Sequence, residues 1–189
     1  MPALFADALR HVPARREDGA VNVFVETPTG SRDKFDLDHE HGLFEWSLQL
    51  PAGLVFPFSF GFVPGTLAQD GDPLDVILLV DGIMPQGTLV SSRLIGSLRA
   101  TQDEDGDGKA ETRNDRILAV PTLANSYGDV EDIGDLRPKL YEEIGAFFAR
   151  YNELIGRSFQ TGEPGSAQDA QRQLDEAIAA ARDASGHDA

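Results

Sequence analysis

No cysteine occurs in the 189 residues. Disulfide bridges and thiolate metal sites are thereby excluded. Cations are scarce: 16 Lys and Arg stand against 32 Asp and Glu, for a formal net charge of −16. Such a chain argues against a nucleic-acid partner, because phosphate backbones are held by basic patches. No apolar run approaches the ~18 residues of a membrane span, so no membrane partner is expected. The N-terminal stretch MPALFADALRHVPARRED lacks the basic start and apolar core of a secretion signal, which makes a cytoplasmic setting the expectation. His11, His39, His41 and His187 show no ligand spacing such as HExxH, and no role is assigned to them.

What is present is enough for one domain with a real core, at 41% hydrophobic residues. Residues 1–18 read as an N-terminal extension and 184–189 as a frayed tail. Residues 21–26 (VNVFVE) are rich in β-branched side chains and predict a strand. Residues 34–38 and 43–50 alternate polar and apolar side chains, as half-buried strands do. The aromatic stretch 55–64 (VFPFSFGFVP), punctuated by Pro and Gly, suits an irregular strand or barrel corner. Residues 75–80, 89–98 and 117–120 predict further strands, with Gly96 allowing a close approach. Helical spacing then takes over in 136–154, with Asp135 the expected N-cap and Pro138 in the first turn. Residues 161–166 (TGEPGS) read as a loop and 168–182 as a second helix. Strands followed by two helices predict an α+β domain: a small, closed, five-stranded antiparallel barrel of OB-like type with two C-terminal helices packed outside.

The segment DGDPLDV places Asp70, Asp72 and Asp75 within six residues, just before an apolar run. Carboxylates this close repel one another unless cations sit between them. All-oxygen ligands favour hard ions such as Mg²⁺, Mn²⁺ or Ca²⁺. A second acidic cluster holds Asp103, Asp105 and Asp107, then Gly108. This matches positions 1, 3, 5 and 6 of a calcium loop, but position 12 is Asn114 and no amphipathic helix precedes it. An acidic hairpin tip and a cation contact both remain open for that segment. Among the cations, Lys34, Arg93, Arg113 and Arg116 are the ones placed to matter. A lysine facing carboxylates and metals would hold phosphate oxygens as a point charge.

In order along the chain, ETPTGSRDKFDLD, FPFSFGFVPGTL, DGDPLDV, ILAVP and FFARYNEL resemble the signature segments of the family I soluble inorganic pyrophosphatases. The resemblance runs from about Val21 to Arg182. It implies a closed five-stranded barrel with helices packed on it, and hydrolysis of pyrophosphate to two phosphates with several Mg²⁺ ions, Mn²⁺ being a possible substitute. Transferred by position, Asp70 and Asp75 would ligate metal and Asp72 would act as general base toward a metal-bound water. Glu26 and Asp36 would face outer metals, and Lys34 and Tyr151 would hold phosphate. Asp103 matches a metal carboxylate of the second loop. Asp115 or Asn114 matches the last ligand, with Arg116 in the place of a phosphate-binding lysine. The resemblance also implies a homo-oligomer, a hexamer in preference to a dimer.

The chain departs from that family where phosphate is gripped. No arginine falls near Ser47 or Leu48. Phe35, Phe56 and Phe60 stand where tyrosines are usual, Asp36 where glutamate is, and Asn152 where a lysine follows the tyrosine. Two alternatives follow. One is a hydrolase of another phosphoanhydride or phosphoester on the same fold. The other is a non-catalytic divalent-metal protein, with Ca²⁺ at 103–107.

Overall fold

The computed structural model describes residues 6–103 and 112–185. A four-residue helix α1 (Ala6–Leu9) is followed by β1 (Val21–Thr27), β2 (Asp33–Asp38), β3 (Leu43–Gln49), β4 (Ser59–Phe62) and β5 (Asp75–Leu78). The long strand β6 (Leu89–Leu98) leads to β7 (Ala100–Asp103), β8 (Thr112–Arg113) and β9 (Arg116–Pro121). A 3-10 turn (Ile133–Asp135) precedes helix α2 (Pro138–Leu154). Strands β10 (Ser158–Thr161) and β11 (Gly165–Ser166) then lead into helix α3 (Ala167–Ser185).

Strands β1, β4, β5, β9 and β6 are hydrogen-bonded in that order, and β6 pairs back onto β1. This closes a five-stranded barrel, as the strand pattern predicts. The barrel is mixed rather than wholly antiparallel, because β5 and β9 run parallel. A parallel pair needs a long crossover. Here β6, β7 and β8 fill the chain between the two strands, so β9 returns in the direction of β5.

Both partners of that parallel pair are buried on two faces, which is why they read as unbroken apolar runs. Val76, Leu78, Ile117 and Ala119 join the cluster that holds Ala170, Leu174 and Ala177 of α3. Their neighbours Ile77, Leu79, Leu118 and Val120 join the cluster of Leu140, Ile144, Phe148 and Tyr151 from α2. Each helix offers one apolar stripe at 3.6-residue spacing, and each stripe covers one side of this wall.

Several boundaries differ from expectation for local reasons. The stretch 55–64 yields only the short β4, flanked by Pro57 and Pro64, which donate no ladder bond. Within it, Gly61 lies against β1: a Cβ there would sit 1.9 Å from the Phe24 carbonyl oxygen. Asp135 does not cap α2. Its carboxylate accepts from the backbone N–H groups of Glu131 and Asp132, inside the 3-10 turn. Pro138 holds Arg137 out of the helical region (ψ 135°), so α2 starts at the proline. The expected 161–166 loop is partly strand, since β11 pairs with β6 at Ser97 and Gly96. The close approach expected at Gly96 is present: a Cβ there would meet the Gly165 carbonyl oxygen at 2.6 Å. Helix α3 runs on through Ser185. Residues 186–189 of the expected tail lie outside the described residues, as do Asp105, Asp107 and Gly108 of the calcium-like motif.

Candidate active site

A cleft of about 460 Å³ opens at one end of the barrel, between β1, β2, β4, the start of β5, the end of β7 and helix α2. The turn 68–73 forms part of its rim. Gly71 adopts a left-handed φ of +95° there, which lets Asp70 accept a bond from the Asp72 N–H at 3.2 Å. Asp75 opens β5 and is in register with Phe62. Burial pushes its carboxyl upward, opposed by Arg116 and Lys34.

Glu26 reaches the cleft from β1 and accepts the Leu37 N–H at 2.8 Å. Burial, reinforced by Asp36 and Asp75, raises its carboxyl to about 8. On β2, Lys34 and Asp36 are two residues apart and therefore share a face. Their ion pair is 2.6 Å long. Burial lowers the Lys34 ammonium, but Asp36 outweighs it and the net shift is upward. Arg116, at the start of β9, is buried with its guanidinium 4.5 Å from the Phe148 ring centre and 5.1 Å from that of Phe159. Its Nε lies 3.9 Å from an Asp75 carboxylate oxygen. Tyr151 of α2 stacks on Phe147, and burial raises its hydroxyl, against the pull of Lys34 and Arg116.

Of the residues that the resemblance singles out, Glu26, Lys34, Asp36, Asp70, Asp72, Asp75, Arg116 and Tyr151 line one cleft, as does Asn114, the alternative to Asp115. Asp103 and Asp115 do not line it. Asp103 is buried at the end of β7, one residue beyond Gln102, and strand alternation turns the two to opposite faces. The Asp115 carboxylate accepts from the Ala100 N–H, from Nε and Nη2 of Arg113 and from Gln173. These four bonds use its lone-pair directions. Their neighbours Gln102 and Asn114 face the cleft instead.

The departures noted in the sequence also find their places. Phe35, Phe56 and Phe60 line the cleft as aromatic surface. Leu48, partly buried, packs against the core, and the Ser47 hydroxyl donates to the Lys34 carbonyl. Asn152 turns back to donate to the Phe148 carbonyl of its own helix. One cation escaped notice. Arg157 lines the cleft, and the end of α2 puts it there. Gly156 (φ +78°) donates to the Glu153 carbonyl, and the Arg157 N–H donates to that of Asn152. This is a Schellman ending. The Gly-Arg pair after the helical pattern was its only trace in the sequence.

The site's chemistry suits hard cations. Five carboxylates share the cleft with three full cations, Lys34, Arg116 and Arg157. Burial is the first cause of the upward shifts of Glu26 and Asp75, and neighbouring carboxylates add to both. Among the described residues no three carboxylate or imidazole groups converge on one point. Charge and donor type fit divalent ions, while the side chains hold one another.

The sequence profile described as inorganic pyrophosphatase matches residues 23–182. The chain belongs to the inorganic pyrophosphatase family. Curated relatives include an inorganic pyrophosphatase of Sulfolobus acidocaldarius, 35% identical over 88% of this chain and 94% of its own. Another is that of Halalkalibacterium halodurans, 32% identical over 86% of this chain and 96% of its own. Among solved structures, the Thermus thermophilus inorganic pyrophosphatase superposes with a TM-score of 0.82 at 26% identity, covering 92% of this chain and 98% of that one. The chain thus shares its overall fold with that structure. Among the described residues, no helix is long and apolar enough to cross a membrane.

Proposed function

We propose that this chain hydrolyses inorganic pyrophosphate to two phosphates at the 460 Å³ cleft. The observation that carries the proposal is the meeting of five carboxylates with Lys34, Arg116, Arg157 and Tyr151 in one opening, on a family barrel. Asp70 and Asp75 would hold Mg²⁺, or Mn²⁺ in its place, with Glu26 and Asp36 facing ions further out. Bound there, such ions supply positive charge to both phosphates and acidify a water. Asp72, at the rim on a rigid turn, takes the proton of the attacking water. The water oxygen bonds to one phosphorus as the bridging P–O bond breaks, and the second phosphate leaves with the bridging oxygen.

The remaining residues bind and orient. Lys34 and Arg116 grip phosphate oxygens, and Arg157 adds a cation from the helix end. Tyr151, with its hydroxyl held above its usual value, stays protonated at neutral pH and donates a hydrogen bond. Phosphoryl transfer asks mainly for positioning and charge neutralisation, and these groups provide both. The test is phosphate release from pyrophosphate with Mg²⁺. Absence of release above background with Mg²⁺, Mn²⁺ and Co²⁺ alike would sink the proposal.

A second reading rests on the aromatic lining of Phe35, Phe56, Phe60 and Phe148. That surface favours a phosphoanhydride or phosphoester with an organic group. A panel of phosphorylated metabolites decides between the two; pyrophosphate as the sole good substrate rejects the second. We also propose a cytoplasmic homo-oligomer, a hexamer before a dimer, on the strength of family resemblance. Sedimentation at micromolar concentration tests its size.

A further inference from the structure

Strand β7 and the link between β8 and β9 meet at the cleft through a pair of amides. Asn114 Nδ2 donates to Gln102 Oε1 at 3.2 Å, and both side chains line the opening. Asn114 is fixed there by its own backbone: its N–H donates to the Ala100 carbonyl, and its carbonyl accepts from Arg116 Nη1. Gln102 is buried and set by the β7–β8 and β7–β10 ladders, opposite Thr112 and Phe159. The carboxylates that sequence reading would have aimed at metal from this side are Asp103 and Asp115. Asp115 is consumed by Arg113, Gln173 and Ala100. Asp103 lies on the other face of β7 and does not line the cleft.

We propose that Gln102 and Asn114 occupy the positions of a metal-binding acid pair in neutral form, so that this chain without substrate holds fewer divalent ions, or holds them more weakly, than the acid pair would. The proposal rests on the cleft being the metal and pyrophosphate site. The physical ground is charge count. The affinity of an oxygen-ligand site rises with the number of anionic ligands, and amides supply dipoles but no charge. Among the described residues, every carboxylate lining the cleft comes from residues 26–75, and those of 102–103 and 112–157 contribute none. The resting metal site would then draw its charge from the carboxylates of residues 26–75, with Asp70 and Asp75 as first ligands.

The experiment is calorimetric titration of EDTA-stripped protein with Mn²⁺ alone, without pyrophosphate. The variants are the isosteric pair Gln102→Glu and Asn114→Asp, made together. In the double variant the two side chains already in contact become a pair of carboxylates. It should bind Mn²⁺ at least tenfold more tightly, or take up an additional ion per chain. Stoichiometry and affinity within twofold of the parent would overturn the proposal. Asp103→Asn and Asp115→Asn form a second arm and should leave Mn²⁺ affinity within twofold, folding being checked by circular dichroism. A tenfold loss in either folded variant would also overturn it. Phosphate release by the parent is measured separately. A chain that gains Mn²⁺ affinity as expected yet releases no phosphate refutes the function and leaves the metal inference standing.

Discussion

The two segments that build the cleft differ in charge. Residues 26–75 bring Glu26, Asp36, Asp70, Asp72 and Asp75, with Lys34 as the one full cation. Residues 102–157 bring Gln102, Asn114, Arg116, Phe148, Tyr151, Asn152 and Arg157, with no carboxylate among the described residues. The first segment repels anions until cations arrive. The second can meet an anion directly, through two guanidiniums, a phenol and amides. Such a division suits a substrate whose charge is neutralised from one side by metal and from the other by protein. The departures from the pattern that the sequence resembles fall on both segments: Phe35, Asp36, Phe56 and Phe60 on the first, Arg116 and Asn152 on the second.

The largest expected effect breaks the acidic side. Asp72→Asn should lower kcat for pyrophosphate by about 10²–10⁴-fold, the usual worth of a general base. Asp72 is exposed on a turn, so the melting temperature should stay unchanged. A loss below about tenfold in a steady-state phosphate-release assay would remove Asp72 from the base role. The next effect sharpens the opposite side. Arg116→Gln removes a buried guanidinium that neighbours Asp75 and two aromatic rings. It should cost about 2 kcal/mol in urea unfolding, in the range of hydrogen bonds to charged groups, and raise KM as well. Arg157→Gln, at an exposed residue, should raise KM by roughly tenfold with no change in unfolding, since it loses one charge-assisted contact to substrate. If Arg157→Gln leaves KM where it was, Arg157 does not hold phosphate and Arg116 is the second segment's one guanidinium that does.

The barrel was legible because its strands carry strong patterns. The β-branched run at Val21–Thr27 and the two-sided apolar runs of β5 and β9 announce themselves. The parallel pairing of β5 with β9 was not legible. It depends on where the intervening strands carry the chain, which no local pattern records. The acidic half of the site was readable for the same reason as the barrel: DGDPLDV is contiguous, and its turn is fixed by Gly71. The second half is assembled from three separated pieces, at 102, at 114–116 and at 148–157. There, one residue of register decides whether Asn114 or Asp115 faces the cleft, and side-chain bonds to Arg113 and Gln173 settle it. Proximity in sequence favoured the acids, and strand alternation chose the amides. Arg157 was hidden because its position follows from the geometry of a helix ending rather than from any motif.

The smallest effect tests whether the acidic segment is under electrostatic tension before metal binds. Glu26 in the folded chain is raised from 4.5 to about 8, chiefly by burial. Between those two values the folded state keeps a proton that the unfolded state has lost. Stability contributed by this group is therefore complete below 4.5 and declines as pH rises toward 8. Glu26→Gln keeps an acceptor for the Leu37 N–H but has no proton to lose. In EDTA, the melting temperature of the parent should fall relative to the variant across that window, and the two should differ most above pH 8. Adding Mg²⁺ at alkaline pH should return part of the parent's deficit, because cations favour the ionised carboxylate, and should do little for the variant. Parallel melting profiles in EDTA would show that Glu26 carries no strain in the metal-free fold. The asymmetry between the two segments would then be one of composition alone, without a cost that metal binding relieves.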